Sequence, residues 1–114
     1  MDAALLTRAA LAQFASENRE SFEQELKTLV EIPSVSADPA HQVDVRRVAE
    51  AARALFERHG GKAELLETSG NPFIHGWFGE DPSLPTITVY NHMDVQPANE
   101  PEWTGLRSAG GWPA

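Results

Sequence analysis

The chain has no cysteine, so disulfides and thiolate metal sites are excluded and any metal must sit on nitrogen and oxygen ligands. No stretch approaches the roughly 20 consecutive apolar residues that a membrane span needs. Basic residues are few: 9 lysines and arginines stand against 17 aspartates and glutamates, a formal charge of −8 with histidines neutral. That sign argues against a nucleic-acid partner, whose electrostatic footprint is a basic patch. It suits a protein that handles metal cations, although a plain soluble acidic domain has the same signature. The opening "MDAALLTRAALAQFASENRE" carries an acid at Asp2, and Arg8 and Gln13 interrupt its apolar residues, so it reads poorly as a secretory signal. The expectation is a cytoplasmic chain with no nucleic-acid and no membrane partner.

At 114 residues this is one domain at most, or part of a larger one. A chain of this size can bury roughly 65% of its unfolded surface, enough for a modest core. With 41% hydrophobic and 23% charged residues it falls in the globular class, not the disordered one. No internal repeat and no low-complexity run interrupts it.

Residues 4–31 read as helix with a break near Ser16–Asn18. Phe22, Leu26, Leu29 and Val30 occupy one face at i, i+4, i+7 and i+8. Ser21 with Gln24 predicts a capping box that restarts the helix, and Pro33 ends it by disfavouring helical geometry in the residue before it. "IPSVSADPA" is a connecting loop. Asp38 then predicts an N-cap, with Pro39 in the first helical position. From there to His59, Val45, Val48, Ala49, Ala52, Leu55 and Phe56 form an apolar stripe. Gly60 and Gly61 predict a left-handed C-cap. After the glycines the period changes: 62–68 and 73–79 are short strand candidates around "SGNP", and "TITVY" (86–90) has the composition of a buried strand.

In α/β proteins, ligands and catalytic groups gather beyond the carboxyl ends of strands. His92 and Asp94 sit just past "TITVY", and extended residues at i and i+2 point to the same side. A metal-binding imidazole usually gives its other N–H to a carboxylate, which fixes the tautomer and raises basicity. A three-residue pattern with one free position also recurs by chance, and on these two residues alone a local hydrogen bond is the commoner explanation.

The surrounding residues point further. "LPTITVYNHMDVQPANEPEWT" resembles the metallopeptidase family of carnosinase, aminoacylase, glutamate carboxypeptidase and succinyl-diaminopimelate desuccinylase. The pattern is an apolar strand, Gly or Asn, then His-x-Asp-Val-x-Pro with a tryptophan several residues later. Here these are "ITVY", Asn91, "HMDVQP" and Trp103, and "YNHMDVQP" looks especially like the dipeptidase branch. Upstream, "ELKTLVEIPSVSADP" is similar to that family's first helix and following loop, and "LFERHGGKAELLET" matches in character and order. The resemblance covers about residue 8 to Thr104.

By resemblance, the fold is α/β, the N-terminal part of a zinc-exopeptidase-like catalytic domain with helices packed on a mixed sheet. His92 takes the position of a ligand to one of two zinc ions. Asp94 takes that of the catalytic aspartate that orients and polarises it. The implied reaction is hydrolysis of a dipeptide or N-acyl amino acid by a metal-bound water activated by a glutamate base. Family members are often homodimeric; this chain is not expected to be.

The resemblance stops after Trp103. The family continues with Asp-Pro-Phe and a Gly-Arg-Gly-x-x-Asp segment bearing the bridging aspartate, then the glutamate base and further ligands. None has a counterpart here; "GLRSAGGWPA", with three glycines and no carboxylate, follows Thr104. The division is therefore expected as 1–104, part of a catalytic domain, and 105–114, a divergent tail from a frameshift, a premature stop or a truncated gene. A two-zinc site needs roughly four ligands per ion, so the chain by itself is expected to be inactive and not to hold two zincs. An unpaired sheet edge makes it an aggregation-prone product. The alternatives are a non-catalytic interaction module or a non-functional product.

Other polar residues carry blander readings. His75 sits mid-strand as a packed or edge histidine, His59 caps a helix C-terminus, and His41 faces solvent near a helix start. Glu100 and Glu102 are loop acids, Trp103 is a packing residue, and Asn91 supports a tight turn.

Overall fold

A computed structural model of the chain describes residues 6–97. Glu100, Glu102, Trp103 and the 105–114 tail lie outside the described residues, as do the first two residues of the expected N-terminal helix.

Two helices open the chain, α1 (Arg8–Glu17) and α2 (Arg19–Val30). Thr7 caps α1, its hydroxyl oxygen accepting from the Ala10 amide at 3.1 Å. The expected break falls at Asn18, whose side-chain amide and backbone N–H both donate to the Phe14 carbonyl, at 2.8 and 3.1 Å. The capping box does not form. Ser21 lies inside α2, whose N-cap residue is Asn18 and makes no side-chain cap bond. The break comes instead from Asn18 satisfying the last carbonyls of α1. Phe14 and Phe22 meet across the joint with ring centroids 6.0 Å apart.

After the loop, Asp38 Oδ1 accepts from the Ala40 amide at 2.9 Å, as a capping aspartate should. The turn it caps is a 3₁₀ turn, Pro39–His41, and the α-helix proper, α3, runs Gln42–Arg58. Beyond it the Gly61 amide donates to the Phe56 carbonyl at 2.9 Å and the Gly60 amide to Glu57 at 3.1 Å. Those two bonds are a Schellman closure around a left-handed residue. That residue is Gly60 alone, at φ +83°. Gly61 serves another end: a Cβ there would stand 2.7 Å from the Phe78 ring.

The chain then turns into an antiparallel pair, β1 (Lys62–Leu66) and β2 (Phe73–Trp77), in register Lys62↔Trp77, Glu64↔His75 and Leu66↔Phe73. Thr68 ties the connection, donating to the Asn71 carbonyl at 2.7 Å and accepting from the Gly70 amide at 3.0 Å. Ala63, Leu65, Ile74 and Gly76 alternate as the less exposed positions, and α3 packs on the pair. Phe56 of α3 lies so close over β2 that a Cβ on Gly76 would meet its ring at 2.6 Å. The buried centre is small: Ile32, Val45, Val48, Ala49 and Ala52, with Ser34 among them. The stripe read from the sequence therefore makes the core, with Leu55 and Phe56 at its half-buried margin.

The α/β architecture stands, with three helices and a two-stranded sheet among the described residues. The third strand does not form there. Residues 86–90 join no ladder, and Ile87 is 86% exposed, Val89 and Tyr90 each 72%. β-branched composition gives a segment the capacity to be a strand; a neighbouring edge must supply its hydrogen bonds.

Candidate functional site

The residues after 86–90 fold back against the "IPSVSADP" loop. The Val95 amide donates to the Ser34 carbonyl at 3.2 Å. One residue earlier, the Ser36 hydroxyl donates to Asp94 Oδ2 at 2.6 Å, a bond spanning 58 positions in the chain. The Asn71 side chain adds a longer contact, donating to the Ser36 carbonyl at 3.4 Å. Asp94 is thereby held in a half-buried setting, its side chain 27% exposed.

His92 stands outside this clamp with its side chain 77% exposed, and its Nδ1 lies 4.0 Å from Asp94 Oδ1. The two side chains face each other, as extended i, i+2 spacing requires. At that separation they are neighbours and not hydrogen-bonded. Tyr90 meets the His92 ring edge-on at 5.3 Å. Asn91 is exposed and keeps φ negative, so its own backbone makes no demand for asparagine.

The other three histidines are each engaged by a carboxylate. His41 Nδ1 is 3.1 Å from Asp44, and His59 Nε2 is 2.9 Å from Glu25 of α2, which also accepts from Arg58 at 2.7 Å. His75 Nδ1 is 3.1 Å from Glu64 across the strand pair, and its ring lies 5.1 Å from that of Trp77. His59 is the C-cap residue of α3, as its position predicts. His41 is only partly exposed because Asp44 holds it. His75 is an exposed cross-strand histidine.

The donor chemistry of an exposed imidazole backed by a carboxylate fits one ligand position of a divalent cation. Among the described residues there is no group of three or more histidines, aspartates and glutamates able to hold an ion. The fit is thus that of a single ligand with its orienting partner. Sequence reading singled out both residues but not Ser36, whose hydroxyl bonds to Asp94.

No protein-family model matches the chain. Several curated proteins do resemble it, three of them as follows. A Cys-Gly metallodipeptidase of Schizosaccharomyces pombe is 32% identical over 105 residues, covering 82% of this chain and 22% of the relative. A Cys-Gly metallodipeptidase of Candida albicans is 30% identical over 95 residues, 72% of this chain and 20% of the relative. A Beta-Ala-His dipeptidase of Rattus norvegicus is 26% identical over 107 residues, 82% of this chain and 22% of the relative. The chain spans about a fifth of the length of these relatives. Their names describe peptidases, two of them metal-dependent, which agrees with the motifs around His92. Over the matched region, these similarities support the metallopeptidase family of the metallodipeptidases and carnosinase.

Proposed function

We propose that this chain carries one ligand position of a zinc-dependent dipeptidase or related amidohydrolase, with His92 as the ligand and Asp94 as the carboxylate that orients it. The observation that carries this reading is the Ser36–Asp94 bond, which joins two separate stretches of family resemblance at 2.6 Å. A bond of that length between a hydroxyl and a carboxylate is charge-assisted and holds the acid in one orientation. When bound, zinc would supply Lewis-acid polarisation of the scissile carbonyl and a nucleophilic water near neutral pH. This chain's residues do the holding: His92 offers a ring nitrogen, and Asp94 turns Oδ1 toward Nδ1 and favours a donor proton there.

The substrate class is a dipeptide or an N-acyl amino acid, following the Cys-Gly and Beta-Ala-His activities in the relatives' names. Residues 1–104 form part of the catalytic domain and 105–114 a divergent tail, and a cytoplasmic setting accompanies the reading. No helix among the described residues is long and apolar enough to cross a membrane. On this reading the motif contributes one of the roughly four ligands that a zinc ion takes, so no turnover is expected of residues 1–114 by themselves. A second reading, a non-catalytic module acting by association, draws on the exposed apolar residues Ile87, Val89 and Tyr90.

Calorimetry with zinc and a hydrolysis assay on the purified chain test the proposal together. Weak zinc binding that disappears in His92→Ala, with no turnover of Cys-Gly or Beta-Ala-His, is expected. Tight stoichiometric binding, turnover, or binding indifferent to His92→Ala contradicts it.

A further inference from the structure

Building on the assignment of His92 and Asp94, we propose that Ser36 is a positioning residue whose hydroxyl selects the orientation of the Asp94 carboxylate. The two carboxylate oxygens have different tasks. Oδ2 accepts the Ser36 proton at 2.6 Å, while Oδ1 is the oxygen that faces His92 Nδ1 at 4.0 Å. The terminal torsion of an aspartate is broad and roughly two-fold, so an unheld carboxylate samples many angles to a neighbouring ring. Fixing one oxygen removes that freedom and leaves the other aimed.

The contact is separable from the path of the chain. The Val95 amide already ties the motif to the loop through the Ser34 carbonyl at 3.2 Å, and Ser34 is fully buried. Asn71 contacts the Ser36 carbonyl, not its hydroxyl. The hydroxyl therefore adds little to the route of either segment and acts on the carboxylate. Being neutral, it orients Asp94 without supplying a cation that would compete with His92 for the negative charge. Threonine at 36 preserves that donor and alanine removes it.

The test uses the 114-residue chain with carbon-13 in its aspartates. The Asp94 carboxyl carbon should show an isotope shift between H2O and D2O from the Ser36 hydroxyl proton, lost in Ser36→Ala and regained in Ser36→Thr. Absence of that shift in the unsubstituted chain overturns the proposal without recourse to a variant. Zinc alone, titrated while the His92 ring resonances are followed, should bind roughly tenfold more weakly in Ser36→Ala and within about threefold of the original in Ser36→Thr. The amide resonances of β1 and β2 should stay in place throughout. Equal zinc response in all three chains overturns the positioning role. Should zinc leave His92 unmoved in every chain while the isotope shift behaves as described, the ligand assignment of His92 fails and the orienting bond from Ser36 stands.

Discussion

Asp44, in the first turn of α3, sits between the His41 ring and the Arg47 guanidinium. The His41 ring, 3.1 Å away, and then the Arg47 guanidinium at 2.9 Å hold its carboxyl below the usual carboxylate range. A carboxylate also favours the helix N-terminus. Because the folded-state value is depressed, the stabilisation is present above the unfolded value and is lost as pH falls through the folded one. Thermal melts between about pH 5 and pH 2 should therefore show a smaller acid loss in Asp44→Asn than in the original chain. Parallel curves for the two would contradict this. At the same scale, His92 and Asp94 were singled out by spacing and neighbouring motif residues, a short local pattern, and their side chains stand 4.0 Å apart. Ser36 was not singled out. Its partner lies 58 positions away, and nothing local to "IPSVS" shows which residue will come to meet it.

Among the elements, α3 was the most legible, because its stripe, its capping aspartate and its glycine stop all agree. Its one departure, the 3₁₀ turn at Pro39–His41, is a difference of a single turn at a helix start, where such turns are common. The capping box failed for a related reason: Ser21 and Gln24 have the right spacing, but Asn18 had already set the boundary. The α3–β2 contact depends on a missing side chain. Gly76→Ala would push a Cβ to 2.6 Å from Phe56 Cε1 and 2.7 Å from Cζ, so the ring must shift. Overpacking of this kind costs roughly 1–3 kcal/mol, read as a lower denaturant midpoint with an unchanged slope. A midpoint equal to that of the original chain would show that Phe56 gives way freely.

Across the whole molecule, the buried centre is small and much apolar surface stays open. Phe22, Leu26 and Val30 mark an exposed face of α2, and Ile87, Val89 and Tyr90 an exposed run before the motif. These residues supply the physical basis for the expected tendency to associate, since contiguous apolar patches seek cover. The composition of 86–90 suggested a buried strand, whereas Ile87, Val89 and Tyr90 are exposed. Periodicity reports which face is apolar, whereas burial depends on what packs against it. The same distinction separates family from activity. The matched region is similar to metallodipeptidases, while among the described residues no group of three or more histidines, aspartates and glutamates could hold an ion.

The central claim is that His92, set against Asp94, is the metal-seeking histidine of this chain. A zinc titration followed on all four histidine rings by NMR tests it directly. The three others already bond to carboxylates, His41 to Asp44, His59 to Glu25 and His75 to Glu64, whereas His92 is more exposed and 4.0 Å from its acid. The His92 resonances should move first and lose that response in Asp94→Ala. Zinc that moves His41, His59 or His75 ahead of His92 would contradict the account.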